Sequence, residues 1–388
     1  MMRAPNIYEH PDPFRTLVPL LQSHLPYSGP VLRVIQSFNC LPKSSSARYL
    51  ATFPPTSIPP ASKPDIPWIV AYVDIARGVE TQIWIYSSLE AGAPNPSATS
   101  RSTFNAVAEV ISETRRQLHN LLIHIRTELT PLFLSSMAEG TALKIPGEKN
   151  NSKRETTTSW YSPTGLLIGT LHDGLTDMLY ELGPDTVIAE GKPIHTLWRI
   201  FCVKYVFDQS AYNKTDDLIL PAGYRFHDRK GRQGVQPHQF ELVLSRTDVP
   251  RKSESFRTSV AIYSDEEGGE EEGKSEEMPI GWVFMSFDGS MVVMHIEPEH
   301  RGRGLAALLA KEIMKKGMDV DEQTMFVFQP ETDTEHRDKG WVYADVIPGN
   351  SSSRRVMEKM GGQLLWTESW VWIEVCVEGE CSQCSAKS

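Results

Sequence analysis

Met291-Val-Val-Met-His-Ile-Glu-Pro-Glu-His-Arg-Gly-Arg-Gly-Leu-Ala306 is the stretch on which the reading of this chain turns. The apolar run Met291–Ile296 reads as a strand, Pro298 closes it, and a loop with two glycines opens directly onto a helix over Arg303–Lys316. On that helix Leu305, Leu308, Leu309 and Ile313 share one face, and Lys315 and Lys316 suit the dipole at its end. Gly317 stands at the usual C′ position. Backbone N–H groups at a helix start have no partner inside the helix. Those of Gly302, Arg303, Gly304, Leu305 and Ala306 can therefore cradle a pyrophosphate, helped by the dipole and by the charges of Arg301 and Arg303. Glycine lets backbone and phosphate approach closely.

Alone, Arg-x-x-Gly-x-(Gly/Ala) is weak: roughly one unrelated chain of this length in five contains it by composition. The ordered context strengthens it, and so does a second motif downstream. Trp341–Ile347 reads as a strand, and Ser351–Met360 as a helix stopped by Gly361-Gly362. Asn350 or Ser351 can cap that helix, and Ser353 can bond within its first turn. The same unit begins near Asp217, with strands at Leu218–Phe226, Ser259–Ser264 and Ile280–Phe287, a helix at Gln236–Arg246, and a closing strand or hairpin at Leu364–Val377. Strands and helices alternate in a mixed α/β order.

The first half is poorer in motifs. A helix is expected at Phe14–His24, strands at Val31–Phe38, Arg48–Phe53, Trp68–Ile75 and Glu80–Ser87, and a long helix at Arg101–Ser135 that Pro131 ends. A polar loop (140–159), a short segment Leu166–Gly169, a helix at Leu175–Leu182 and an apolar run His195–Phe207 follow. No catalytic constellation stands out, and His119 and His124, five apart on a helix, do not make a metal site. The expected division is 1–212, then 213–377 with an acidic disordered loop at 264–278 and another loop at 318–339, then a flexible tail at 378–388.

At 388 residues the chain is too long for one typical core. Its net charge of -10 argues against a nucleic-acid surface. Much of that charge is local, because Asp265–Glu277 holds eight acids against Lys274; such a block repels itself and stays solvated. No apolar run is long enough for a bilayer, and the first residues lack the apolar core of a signal peptide, so no membrane partner is expected. Five cysteines are too few to staple a chain of this size, which points to a reducing compartment, the cytoplasm with the nucleus left open. Cys376, Cys381 and Cys384 lack a fourth ligand nearby and read as tail thiols, so no metal is expected.

Together, the loop at Arg301–Ala306 and the helix at Asn350–Gly362 resemble the GNAT N-acetyltransferase superfamily. The first is similar to its Arg/Gln-x-x-Gly-x-Gly/Ala pyrophosphate loop, the second to its Asn-x-x-Ser helix with a terminal Gly. Pro298-Glu-His-Arg-Gly-Arg-Gly-Leu-Ala306 and Trp366-Thr-Glu-Ser-Trp-Val-Trp-Ile-Glu-Val375 look like the glycine N-acyltransferase-like branch. The resemblance implies a GNAT fold in the C-terminal half and a degenerate GNAT-like N-terminal half. It also implies acetyl-CoA or another acyl-CoA as co-substrate, bound between two parted parallel strands, with the thioester carbonyl held by a backbone N–H near His295 or Ile296. An acceptor amine then attacks directly, and coenzyme A leaves as its thiolate.

The base is where the sequence departs from its relatives. Many members place Glu or His eleven residues before the loop, where this chain has Ser290, which cannot serve. A second position, five residues before the motif's Asn, is Asp345, which shares a strand face with Tyr343 and Trp341. A partnered structural Asp is the competing reading. Met357 replaces the family's usual acid, a Tyr, and Tyr343 can substitute for it. A thiol titrates near about 8.5, so a thiolate leaves tolerably without full protonation. An α-amine near about 7.7–8.0 suits a weak base better than a lysine near about 10.4, which favours a small-molecule or α-amino acceptor. The alternatives are a catalytically silent acyl-CoA-binding protein and a protein-modifying acetyltransferase.

Overall fold

The computed structural model describes residues 7–40, 44, 46–55, 67–78, 80–96, 100–138, 164–180, 194–214, 219–247, 258–265, 276–318 and 340–375. The expected loop at 140–159, all of the loop expected at 318–339 except Met318, the acidic residues 266–275, and Cys376, Cys381 and Cys384 lie outside them. Two units divide the chain: one up to Val203 that regains it from Trp366 onward, and one from Lys204 to Leu365.

The first unit begins with β1 (Tyr8–Glu9) and two short helices, α1 (Pro13–Thr16) and α2 (Val18–Gln22), where one was expected. The strand expected at Val31–Phe38 is instead a helix, α3 (Gly29–Cys40). The reason is spacing. Val31, Val34, Ile35 and Phe38 recur at three, four and seven residues and are all buried, a helical stripe that outweighs their β-branching. β2 (Arg48–Ala51), β3 (Ile69–Val73) and β4 (Ile83–Ser87) continue antiparallel from β1. The long helix α4 (Ala108–His124) widens into a π turn at Ile125–Leu129 and goes on as α5 (Thr130–Ala138), so Pro131 does not end it. The wider turn relieves the clash of the proline ring with the carbonyl four residues back, and Thr130 Oγ1 donates to the Ile125 carbonyl at 2.9 Å. β5 (Gly165–His172) lies parallel to β4, followed by α6 (Asp173–Tyr180) and β6 (Ile194–Phe207).

The second unit takes the last residues of β6 and adds α7 (Gln209–Asn213), β7 (Tyr224–Arg225), α8 (Phe240–Ser245), β8 (Thr258–Ser264), β9 (Gly281–Met285), β10 (Ser290–Ile296), α9 (Leu305–Met318), β11 (Val342–Val346), α10 (Ser351–Lys359) and the start of β12 (Gln363–Val375). Strands β7 to β10 are antiparallel neighbours, β11 is parallel to β10, and β6 follows β11. From Trp366, β12 belongs to the first unit, antiparallel to β5. The order helix, three strands, helix, strand, helix, strand occurs twice, from α3 to β6 and from α8 to β12, with a parallel pair at the same place in each.

In the second unit one sheet face packs Ala261, Tyr263, Trp282 and Phe284 against Val243 of α8. On α9, Leu305, Leu308, Leu309 and Ile313 are buried as their spacing requires. Two details differ from expectation. The strand expected at Leu218–Phe226 shrinks to Tyr224–Arg225, because Pro221 and Gly223 (φ 85°) form a turn closed by Tyr224 N–H on the Pro221 carbonyl. Glu276 and Glu277, read as part of a solvated block, are held by cations: Glu276 by Lys230 and Arg232 at 2.6 Å each, Glu277 by Arg225. Among the described residues no helix is long and apolar enough to cross a membrane.

Gly317 also changes role. It lies inside α9 rather than past its end, and a Cβ there would meet Met285 Cε at 2.6 Å and Val342 Cγ2 at 2.8 Å. Its missing side chain lets the helix sit close on β9 and β11. Gly317→Val is expected to destabilise the protein by about 1–3 kcal/mol in chemical denaturation through overpacking; an unchanged midpoint would contradict this packing.

Candidate active site

β10 and β11 share a parallel register at Ser290↔Tyr343 and Met291↔Ala344, after which no pairing continues although β10 runs on to Ile296. The strands therefore part. On its other edge β10 carries a bulge: Val292 faces Phe284 but His295 faces Trp282, so one extra residue is inserted. Val293 takes φ 55°, a left-handed conformation that costs a β-branched residue on the order of 1–2 kcal/mol. Beyond the bulge the Glu297 N–H donates to the Ile280 carbonyl at 2.8 Å. Alternation along an antiparallel ladder then turns His295 towards β9 and the Ile296 N–H towards the opening. Of the two amides expected to hold a thioester carbonyl, Ile296 is the one so directed.

The loop after β10 is exposed from Arg301 to Gly304. Gly302 and Gly304 have φ 77° and 78°, and no atom lies within 4 Å of where a Cβ would stand at either. Among the described residues, none of the N–H groups of Gly302, Arg303, Gly304, Leu305 and Ala306 has a backbone partner. Five donors without a backbone partner thus fall at the start of a 14-residue helix. The arginines brace this loop: Arg301 Nε donates to the Ile296 carbonyl at 2.9 Å, and Arg303 bonds the Tyr224 hydroxyl, itself 2.9 Å from His300 Nδ1. At the end of β11, Asn350 caps α10 by accepting the Ser353 N–H at 3.0 Å.

The closed end of the parting is charged and buried. Lys204, fully buried, pairs with Asp345 Oδ1, approaches Ser290 Oγ at 3.4 Å and lies 5.7 Å from the centre of the Tyr343 ring. Burial raises the carboxyl of nearby Asp288, against the charge of Lys204 and with that of Asp345. Sequence reasoning missed Lys204. Its signal was a single cation inside the apolar run Cys202–Phe207, a position that requires a buried partner.

Asp345 and Tyr343 do share a face, but base and acid duty meets two obstacles. The side chain of Asp345 is 10% exposed and one of its oxygens is committed to Lys204, while the other is sealed from solvent. Tyr343 is fully buried. Neither lines the open cleft of about 590 Å³ that adjoins the loop, whose walls include Leu242, Arg246, Met278, His295, Glu297 and Arg301. In that cleft His295 stacks on Trp282 at 4.8 Å. Its Nε2 is 3.5 Å from Glu297 Oε2, a charge contact without hydrogen-bond geometry, and Glu297 Oε1 accepts from Arg246 Nε at 3.0 Å. Burial lowers the imidazole pKa, Glu297 opposes this, and Arg301 and Arg246 add to it.

Residues 4–205 match the family described as the acyl-CoA N-acyltransferase verG N-terminal domain, and residues 271–338 match the FR47-like protein family. No curated protein matches the sequence. Among solved structures, a Drosophila protein from a structural-genomics consortium is similar at 13% identity and a TM-score of 0.52, over 95% of this chain and 98% of that one. A tandem GNAT protein from the clavulanic acid biosynthesis pathway aligns at 11% identity over 96% of this chain and 99% of its own, with a TM-score of 0.41. A GCN5-related N-acetyltransferase from Kribbella flavida aligns at 12% identity over 80% and 88%, with a TM-score of 0.37.

Removing one partner of a buried ion pair strands the other, at about 3–5 kcal/mol. Lys204→Met is therefore expected to lower unfolding free energy by that amount in urea titration. A loss below about 1 kcal/mol would mean the carboxylates are not held by this cation.

Proposed function

This chain belongs to the acyl-CoA N-acyltransferase family defined by the verG N-terminal domain, and on that premise we propose that its second unit transfers an acyl group from acyl-CoA to an amine. The GNAT-type fold and both family matches support acyl-CoA-dependent N-acyl transfer in general terms. The observation that carries the site assignment is the row of five unpaired amides at the mouth of two parted strands. A diphosphate is the anion that fits such a row: it presents several acceptor oxygens, and its charge is favoured at a helix N-terminus. Gly302 to Ala306 bind it, with Arg301 and Arg303 adding positive charge. The pantetheine arm enters the parting, and the Ile296 N–H polarises the thioester carbonyl. Asn350 and Ser353 keep the start of α10 in place beside that mouth. Lys204, Asp345 and Tyr343 hold its closed end.

The acceptor is a small molecule or α-amino compound, and acetyl-CoA is the first acyl donor to test. A silent acyl-CoA-binding protein is the second reading, favoured by the engagement of Asp345 and Ser290 with Lys204. Release of free thiol from acetyl-CoA across a panel of amines distinguishes the two.

Gly304→Glu puts negative charge in the nest. It is expected to weaken coenzyme A binding at least about 100-fold, ~2.8 kcal/mol, by isothermal titration calorimetry. Gly304→Ala, which adds only a methyl in open space, separates backbone strain from charge. Unchanged affinity in the Glu variant would remove the assignment.

A further inference from the structure

We propose that His295 is the general base of the transfer and that the cleft beside it receives the acceptor, a primary amine carrying an apolar group. This rests on the acyl-transfer reading above. Three observations carry it. First, His295 lines the cleft next to the loop, and Asp345 does not. Second, the imidazole is oriented from both sides, by the Trp282 ring at 4.8 Å and by Glu297, which Arg246 in turn fixes. Third, the two ring nitrogens differ. Nε2 is sealed and faces Glu297, whereas Nδ1 is not among the sealed atoms and makes no hydrogen bond to a described residue. A carboxylate beside Nε2 favours the proton there and leaves the Nδ1 lone pair for a substrate.

The peptide that presents the Ile296 N–H begins at His295, so base and carbonyl-binding amide come from adjacent residues, about 3.8 Å apart at Cα. The amine nitrogen attacks the thioester carbon, forming the C–N bond. Its surplus proton passes to Nδ1, the C–S bond breaks with its electron pair on sulfur, and the imidazolium returns the proton to the coenzyme A thiolate or to water. Amine and acyl-CoA become amide and free coenzyme A. The lining sets the acceptor class. Leu242, Met278 and Pro279 are apolar, Arg246 and Glu297 neutralise each other, and Arg301 and Glu299 add one charge of each sign. Nothing there selects a second charge on the acceptor.

The charged groups facing His295 are Glu297 at the end of its own strand, Arg246 after α8 and Arg301 in the loop. Since burial lowers its pKa from about 6.5, the neutral base is present at pH 7, and turnover is expected to rise with pH along a limb below 6.5. The test is acetyl transfer by the full chain to phenylalaninamide, an α-amine with an apolar group and no second charge, with glycine as the compact charged counterpart. His295→Gln is expected to bind coenzyme A as the wild type does, to lose at least about 100-fold in kcat, and to lose the acid limb of kcat/KM. His295→Ala is expected to regain turnover with added imidazole, which a packing role would not produce. Leu242→Trp is expected to raise KM for phenylalaninamide without changing coenzyme A affinity. Full turnover with an intact acid limb in His295→Gln, or a preference for glycine, would overturn the proposal while leaving acyl transfer in place. A wild type that binds coenzyme A but acetylates no amine would overturn the acyl-transfer reading itself.

Discussion

Two parallel strands that share a register at only two positions leave the backbone beyond them without a ladder, and the second unit is organised around that gap. A peptide group released from a sheet needs another partner, and one withheld from both protein and water is costly. At the open end the loop is exposed, its glycines occupy left-handed backbone, and five N–H groups have no backbone partner among the described residues. The bulge at Val293 belongs to the same arrangement, since it resets which amides of β10 face the opening. The result is a site made of backbone rather than side chains, which explains why its arginines are spent on bracing the loop.

The repeated fold shows what a closed version looks like. In the first unit β4 and β5 also pair in parallel at two positions, Ile83↔Ile168 and Trp84↔Gly169. There β4 ends at Ser87 and the next long helix, α4, begins only at Ala108, so no short glycine loop joins them. The Ser87 N–H at the strand end is taken at 2.8 Å by the carboxyl of Glu90, itself buried. Burial raises that carboxyl's pKa well above its ordinary value. An acidic side chain thus takes the donor at the end of β4, whereas β10 runs into an exposed glycine loop.

The strand, loop and helix at 291–306 were legible because their chemistry is local: glycine spacing, a proline and an apolar stripe all fall within one short stretch. The cap by Asn350 was legible for the same reason. Lys204 and Asp345 were not connected, because 141 residues separate them and only the sheet brings them together. The helix at Gly29–Cys40 was misread by weighing β-branched residues over a period that was already visible. Gly317 was misread because a glycine near a helix end looks the same whether it stops the helix or lets it approach a sheet. The difference between the two nitrogens of His295 has no sequence signature, since it depends on where Glu297 and Trp282 fold.

The most direct measurement is hydrogen exchange of the backbone amides with and without saturating coenzyme A. The account predicts that slowing concentrates at residues 302–306 and at the end of β10 around Ile296, because those N–H groups gain acceptors only from the ligand. Coenzyme A that binds while these amides exchange as fast as before would contradict it.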